Sequence, residues 1–176
     1  KHVAALYEMW CYLEVLKCLE QILGQGNYQK LFKVNDKKFA LNLVAGEESR
    51  VEWDHSHEGR KVHISLWYNK SFTSLVNDGA QSWSEVYKPD ISVHIRPYGE
   101  MITSADSSAL DVWVHFDAKY KLSLSEDENE SKENEGASAT KSDMGKMHTY
   151  RDAIRRTAGA YVLFPGSNES RYREYE

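Results

Sequence analysis

Cysteine is nearly absent: the chain has only Cys11 and Cys18, seven apart in a helical pattern. Such a pair builds neither a disulfide framework nor a zinc set, and both read as small buried residues in a reducing cytoplasm. Basic charge is also in deficit. A net charge of −5 excludes a chain that coats nucleic acid by charge alone. It does not exclude a metal enzyme acting on phosphodiesters, because ions supply positive charge locally. No signal peptide is recognisable, and no apolar run is long enough to span a membrane. The chain opens at Lys1 without an initiator Met, already inside a helical pattern, so it reads as a domain from the later part of a longer protein.

What is present suits one folded domain spanning residues 1–176, long enough to bury a full core. Val3 to Leu23 carries the strongest helical periodicity. Leu6, Trp10, Leu13 and Leu16 or Lys17 mark one face and Tyr12, Val15, Leu19 and Ile22 another, which predicts a helix buried on two sides. Glu8 lies on the Tyr12 side, either as a rim glutamate with its head in water or as a carboxylate needing a partner. Strands are predicted over Phe39 to Val44, Arg50 to Asp54 and Arg60 to Asn69, with a turn region from His55 to Gly59. His55, His57 and His63 lack a completing carboxylate or cysteine at a regular spacing and read as turn and strand residues. Ser71 to Ser84 reads as a loop.

Pro89-Asp90 opens a two-faced strand running to about Arg96, and Asp111 to Lys121 (DVWVHFDAKYK) forms a second. In the latter, Val112, Val114, Phe116, Ala118 and Tyr120 are the face expected on a core. Asp111, Trp113, His115, Asp117, Lys119 and Lys121 form the other. An Asp-x-Lys at a strand end is commonly a solvated ion pair; it can also hold a divalent cation with an ammonium in reach of the same substrate atom. If the two strands pair antiparallel, Asp90 and Asp117 meet at one end of the sheet. Residues 125–140 are acidic and poor in apolar side chains, which predicts a mobile loop. A helix capped by Ser142 or Asp143 follows, running to about Thr157 with Gly159 at its end. Met147, Tyr150 or Arg151, and Ile154 are its packing stripe. Ala160 to Phe164 is a short apolar strand, implying a crossover onto the sheet.

The order helix, strands, helix, strand, with Pro-Asp opening one strand and Asp-x-Lys closing the next, resembles the PD-(D/E)XK nuclease superfamily. The carrying residues are YEMW at Tyr7 to Trp10, KPDISV at Lys88 to Val93, HFDAKYK at His115 to Lys121, KMHTYRDAI at Lys146 to Ile154 and AYVLFPG at Ala160 to Gly166. Among its branches the chain is most similar to the McrC-like nucleases of restriction systems. The resemblance implies an α/β fold with an αβββαβ core, a mixed central sheet flanked by helices. It implies that Asp90 and Asp117 bind metal, that Lys119 orients or activates the attacking water, and that Glu8 completes the metal site. The family's later helix often carries Gln-x-x-x-Tyr facing the site; here Lys146-x-x-x-Tyr150 stands there, and His148 is a further inward candidate.

The chemistry so implied is Mg²⁺-dependent hydrolysis of DNA, Mn²⁺ being able to substitute. The ions lie between Glu8, Asp90, Asp117 and a carbonyl near Ala118, and Lys119 supplies a donor where negative charge builds. Lys121, Lys146, His148 and Tyr150 are supporting or substrate-binding candidates. The implied partners are DNA and an NTPase motor subunit of a restriction complex acting in anti-phage defence, with no membrane involved. A rival class is a catalytically inactive nuclease fold that serves as a scaffold for partner subunits or DNA. Nothing in the sequence, such as a stacking platform, separates RNA from DNA cleavage.

Overall fold

The computed structural model of the chain describes residues 3–28, 31–35, 40–43, 49–74, 81–98, 111–120 and 141–165. Lys121, the acidic stretch 125–140 and the polar tail lie outside these residues. Helix α1 covers Val3–Leu23, as its periodicity predicts. It stops at Gly24, whose φ of 84° and N–H bond to the Glu20 carbonyl (2.9 Å) form a left-handed C-terminal cap. Among the described residues only one side of it is covered. Cys11, Tyr12 and Leu16 are buried, with Val15, Leu19 and Leu23 partly so, whereas Val3, Leu6, Trp10 and Leu13 are exposed. The expectation of two-sided burial therefore fails: among the described residues a single sheet face lies beneath the helix, and no other element covers its outer apolar residues. Cys18 is likewise exposed, unlike Cys11.

The strands in chain order are β1 (Asn27–Tyr28), β2 (Phe32–Asn35), β3 (Ala40–Leu43), β4 (Val51–His57), β5 (Arg60–Tyr68), β6 (Ile91–Pro97), β7 (Val112–Ala118) and β8 (Thr157–Leu163), with helix α2 (Lys141–Ala153) before the last. A six-stranded sheet has the order β1-β4-β5-β6-β7-β8, while β2 and β3 pair separately. Neighbours are antiparallel except β7 and β8, which run parallel because α2 carries the chain back across the sheet. This is the mixed α/β sheet with an αβββαβ core expected from the sequence. Among the described residues no helix is long and apolar enough to cross a membrane.

Several boundaries differ for local reasons. β4 continues through His55 and His57, because the turn to β5 is only Glu58-Gly59, both at positive φ. α2 ends at Ala153, earlier than predicted. Arg156 turns the chain at φ 63°, and Gly159 lies inside β8, where an added Cβ would come within 2.8 Å of the Tyr161 ring. Ser142 and Asp143 are inside the helix rather than ahead of it, Asp143 supplying negative charge to the first turn.

Two cores fill the layers. On the α1 face, Tyr12 and Leu16 pack with Val51, Trp53, Ile64, Leu66, Ile91 and Val93, and Val114, Phe116 and Ala118 join from β7. On the opposite face Trp67, Phe72 and Trp113 pack with Met147 and Tyr150 of α2 and with Ile154 just after it. Phe72 stands edge-on to Trp113 at 4.9 Å, and the His94 ring lies flat against Trp113 at 4.0 Å. The strand face read as polar is therefore the more deeply buried one: Trp113, His115 and Asp117 are at most 1% exposed. Burial pushes His115 down to about 3, so its imidazole is neutral, and Ser92 Oγ lies 2.9 Å from its Nδ1.

Candidate active site

Ile91 pairs with Phe116, so the next register step sets Asp90, just ahead of β6, beside Asp117 near the end of β7. The ladder is closed there by a side chain: the Ala118 N–H donates to Asp90 Oδ2 at 2.7 Å. Pro89 is buried immediately before Asp90 and has no N–H to leave unpaired. On the other side, Asn69 follows β5 in the left-handed region (φ 55°), which Asn tolerates better than most residues. Its N–H donates to the Asp90 carbonyl at 2.8 Å, and its Nδ2 donates to Glu8 Oε1 at 2.6 Å. The Tyr68 hydroxyl also bonds to Glu8. Glu8 is thus held on the Asp90 side of α1, and it is not the freely solvated rim side chain that was one of its two sequence readings.

Asp90 records this crowding. Burial first, then the charges of Asp117 and Glu8, push its carboxyl up to about 6; the Ala118 N–H and Lys119 pull it back only in part. Asp117 is fully buried and lies against cations instead. Lys119 Nζ pairs with Oδ2, Lys146 Nζ stands 2.6 Å from Oδ1, and the Tyr150 hydroxyl lies 3.4 Å from the same Oδ1. Burial, with the charges of Asp117 and Asp90, drives the Tyr150 hydroxyl well above the ordinary phenol range, so it stays protonated.

The structure therefore brings together Glu8, Asp90, Asp117, Lys119, Lys146 and Tyr150, with the Ala118 amide between the two aspartates. It does not bring in His148, which is exposed: with Lys146, Met147 and Tyr150 turned to the sheet, position 148 faces solvent. Lys121 lies outside the described residues. Sequence reasoning missed Asn69 and Tyr68, which hold Glu8; the only cue was an Asn directly after a strand. It also missed an aromatic cluster that only the fold assembles. The Tyr7 ring lies 5.7 Å from Trp10 and 5.6 Å from Tyr120, next in the chain to Glu8 and Lys119. An open apolar groove of about 730 Å³ between α1 and the sheet, lined by Trp10, Val93, Phe116 and Phe164 among others, contains none of Glu8, Asp90 or Asp117.

The donor chemistry suits a hard divalent cation, since the converging ligands are carboxylate oxygens. As the side chains stand, no three His, Cys, Asp or Glu among the described residues are gathered closely enough to chelate one ion. Burial first, and then the charges of Asp117 and Glu8, raise the Asp90 carboxyl, and a cation bound beside it would oppose both.

A family model described as PD-(D/E)XK nuclease superfamily matches residues 5–169, nearly the whole chain. The chain belongs to this superfamily, and its sheet and flanking helices are those of a restriction-endonuclease-like fold. Searches of curated proteins and of solved structures find no match.

Proposed function

We propose that the chain is a metal-dependent endonuclease domain that hydrolyses phosphodiester bonds in DNA. The McrC-like resemblance of its motifs suggests a place in a restriction or anti-phage defence system, with an NTPase motor as partner. The observation that carries the reading is the convergence of carboxylates from three separate segments, Glu8 on α1, Asp90 before β6 and Asp117 on β7, at one sheet end with Lys119. In this reading Glu8, Asp90, Asp117 and the Ala118 carbonyl hold Mg²⁺ or Mn²⁺. A divalent cation held there supplies positive charge against the anionic phosphate and acidifies water. Lys119 places an ammonium where negative charge develops on the phosphoryl oxygens. The Ala118 N–H keeps Asp90 aimed and the burial of Asp117 restricts its side chain, while the acidic side chains would still have to draw closer to share one ion.

One observation favours the alternative, an inactive scaffold: Asp117 already has an ammonium on each oxygen and needs no ion to satisfy it. A cleavage assay on plasmid DNA separates the two. Mg²⁺-dependent cutting, abolished by EDTA and reduced at least about 100-fold by Asp117→Asn and by Lys119→Ala, is the expected result. Cutting by Asp117→Asn at the wild-type rate, or no cutting by the wild type with its partner subunits present, would overturn the proposal.

A further inference from the structure

Two lysines serve one carboxylate in this site, and they are not equivalent. Lys119 follows directly on β7, its backbone N–H is tied to the Leu163 carbonyl at 2.8 Å, and its side chain is only 25% exposed. Lys146 comes from α2, on the far face of the sheet, and its side chain is 41% exposed. Its ammonium reaches Asp117 Oδ1 at 2.6 Å and lies 5.2 Å from the Tyr150 ring centroid one turn on. Meanwhile the carboxylates of Glu8 and Asp90 are met mainly by neutral donors: the Asn69 amide, the Tyr68 hydroxyl and the Ala118 N–H. The positive charge is concentrated on the one acid that lies deepest.

We infer that Lys146 is a displaceable counter-ion, which holds Asp117 Oδ1 until a divalent cation takes that oxygen and then binds a phosphate of the nucleic acid. The inference rests on the nuclease reading and adds to it a positioning residue that couples ion binding to substrate binding. Of the two ammonium groups, Lys146 is the one that leaves at low cost, because a half-exposed head on a flexible stem exchanges its partner for water easily. Charge gives the direction. Glu8, Asp90 and Asp117 carry three negative charges, which Lys119 and one divalent cation balance, so the Lys146 charge becomes surplus beside the site. A lysine ammonium is a strongly hydrated point charge suited to a phosphate oxygen, and the Tyr150 ring keeps the stem nearby.

The experiment compares wild type, Lys146→Gln, Lys146→Met, Lys146→Arg and Asp117→Asn in the full chain, each first checked by thermal melting. Mn²⁺ is titrated calorimetrically without nucleic acid, and steady-state cleavage of a short duplex is measured separately. Lys146→Gln and Lys146→Met remove the competitor and are expected to tighten Mn²⁺ by about two- to fivefold, the weight of a part-exposed ion pair. The same variants raise KM for the duplex several-fold, with kcat changing less, while Lys146→Arg stays near wild type in both. A merely structural role cannot move the two affinities in opposite directions. Mn²⁺ binding that depends on Asp117 but is unchanged or weaker in folded Lys146→Gln and Lys146→Met overturns this inference alone, as does an unchanged KM. Mn²⁺ binding that Asp117→Asn leaves unaltered removes the nuclease reading, and this inference with it.

Discussion

Asp90 is a site residue whose ionisation the fold opposes, and the sign of its effect on stability follows directly. An unfolded aspartate titrates near 3.9, whereas burial, Asp117 and Glu8 bring the folded carboxyl to about 6 against the pull of Lys119. The folded state thus holds this proton more tightly. The penalty is absent below about pH 4, grows as pH rises between the two values, and is complete above about 6. Asp90→Asn, which can still accept from the Ala118 N–H, is expected to stabilise the protein by about 1–2 kcal/mol at pH 8 in EDTA, allowing for solvent screening. The gain disappears at pH 4, and melts at the two pH values check it. Asn69 gives a second expectation. Asn69→Ala puts a Cβ-bearing side chain without an amide at φ 55° and costs about 1 kcal/mol more than Asn69→Gly. Both release Glu8, so both slow cleavage alike, even though their denaturation midpoints differ; equal stability of the two variants would contradict this. At this scale Asp90, Asp117 and Lys119 were legible, because strand periodicity and a pairing direction suffice to gather them. Asn69 was not, since its role depends on how far β5 runs before the chain meets α1.

The extent of α1 was read well, those of β4, α2 and β8 less so, β1 and β2 were not read, and what covers each element was read least well. The periodicity of Val3 to Leu23 marked α1 to the residue, but no pattern in a helix says how many neighbours it has, hence the exposed Leu6 and Trp10. The two faces of β7 were separated correctly and one was misjudged. Trp113, His115 and Asp117 look like a solvated edge until α2 is laid over them. The phase of α2 also decides between neighbours, turning Lys146 inward and His148 outward. Close approach shows at two glycines, between elements at Gly26 and within β8 at Gly159. A Cβ at Gly26 would meet Val51 Cγ1 at 2.5 Å and Trp53 at 2.9 Å, both in the packed α1 core. Gly26→Ala is expected to cost about 1–3 kcal/mol, as overpacking does. At Gly159 the obstacle is the Tyr161 ring, which is 53% exposed and can swing aside. Gly159→Ala is therefore expected to cost under about 0.5 kcal/mol, because relief of backbone entropy offsets the contact. Urea denaturation of both variants tests the contrast, and similar losses would show that β8 is packed more tightly than its exposure implies.

The whole molecule carries a net charge of −5, which sets how it meets a polyanion. Residues 1–176 alone are expected to bind duplex DNA weakly, with a dissociation constant in the range of about 10⁻⁴ M or weaker at physiological salt, and without sequence preference. Affinity should fall further as salt rises, and fluorescence anisotropy on unrelated duplexes measures both. Tight, selective binding would place the recognition surface on this chain. The covering of the sheet on both faces has a consequence for synthesis. Within this chain Glu8 is synthesised well before α2 and β8, which cover and flank β7. Domains fold largely as units while chains emerge over seconds. A nascent chain ending before residue 141 lacks Lys146, Tyr150 and the parallel partner that fixes Lys119 to Leu163, so its Asp117 faces water without its buried pairing. On the nuclease reading the unfinished polypeptide is thereby unarmed, and cutting would wait until residues 141–163 have docked.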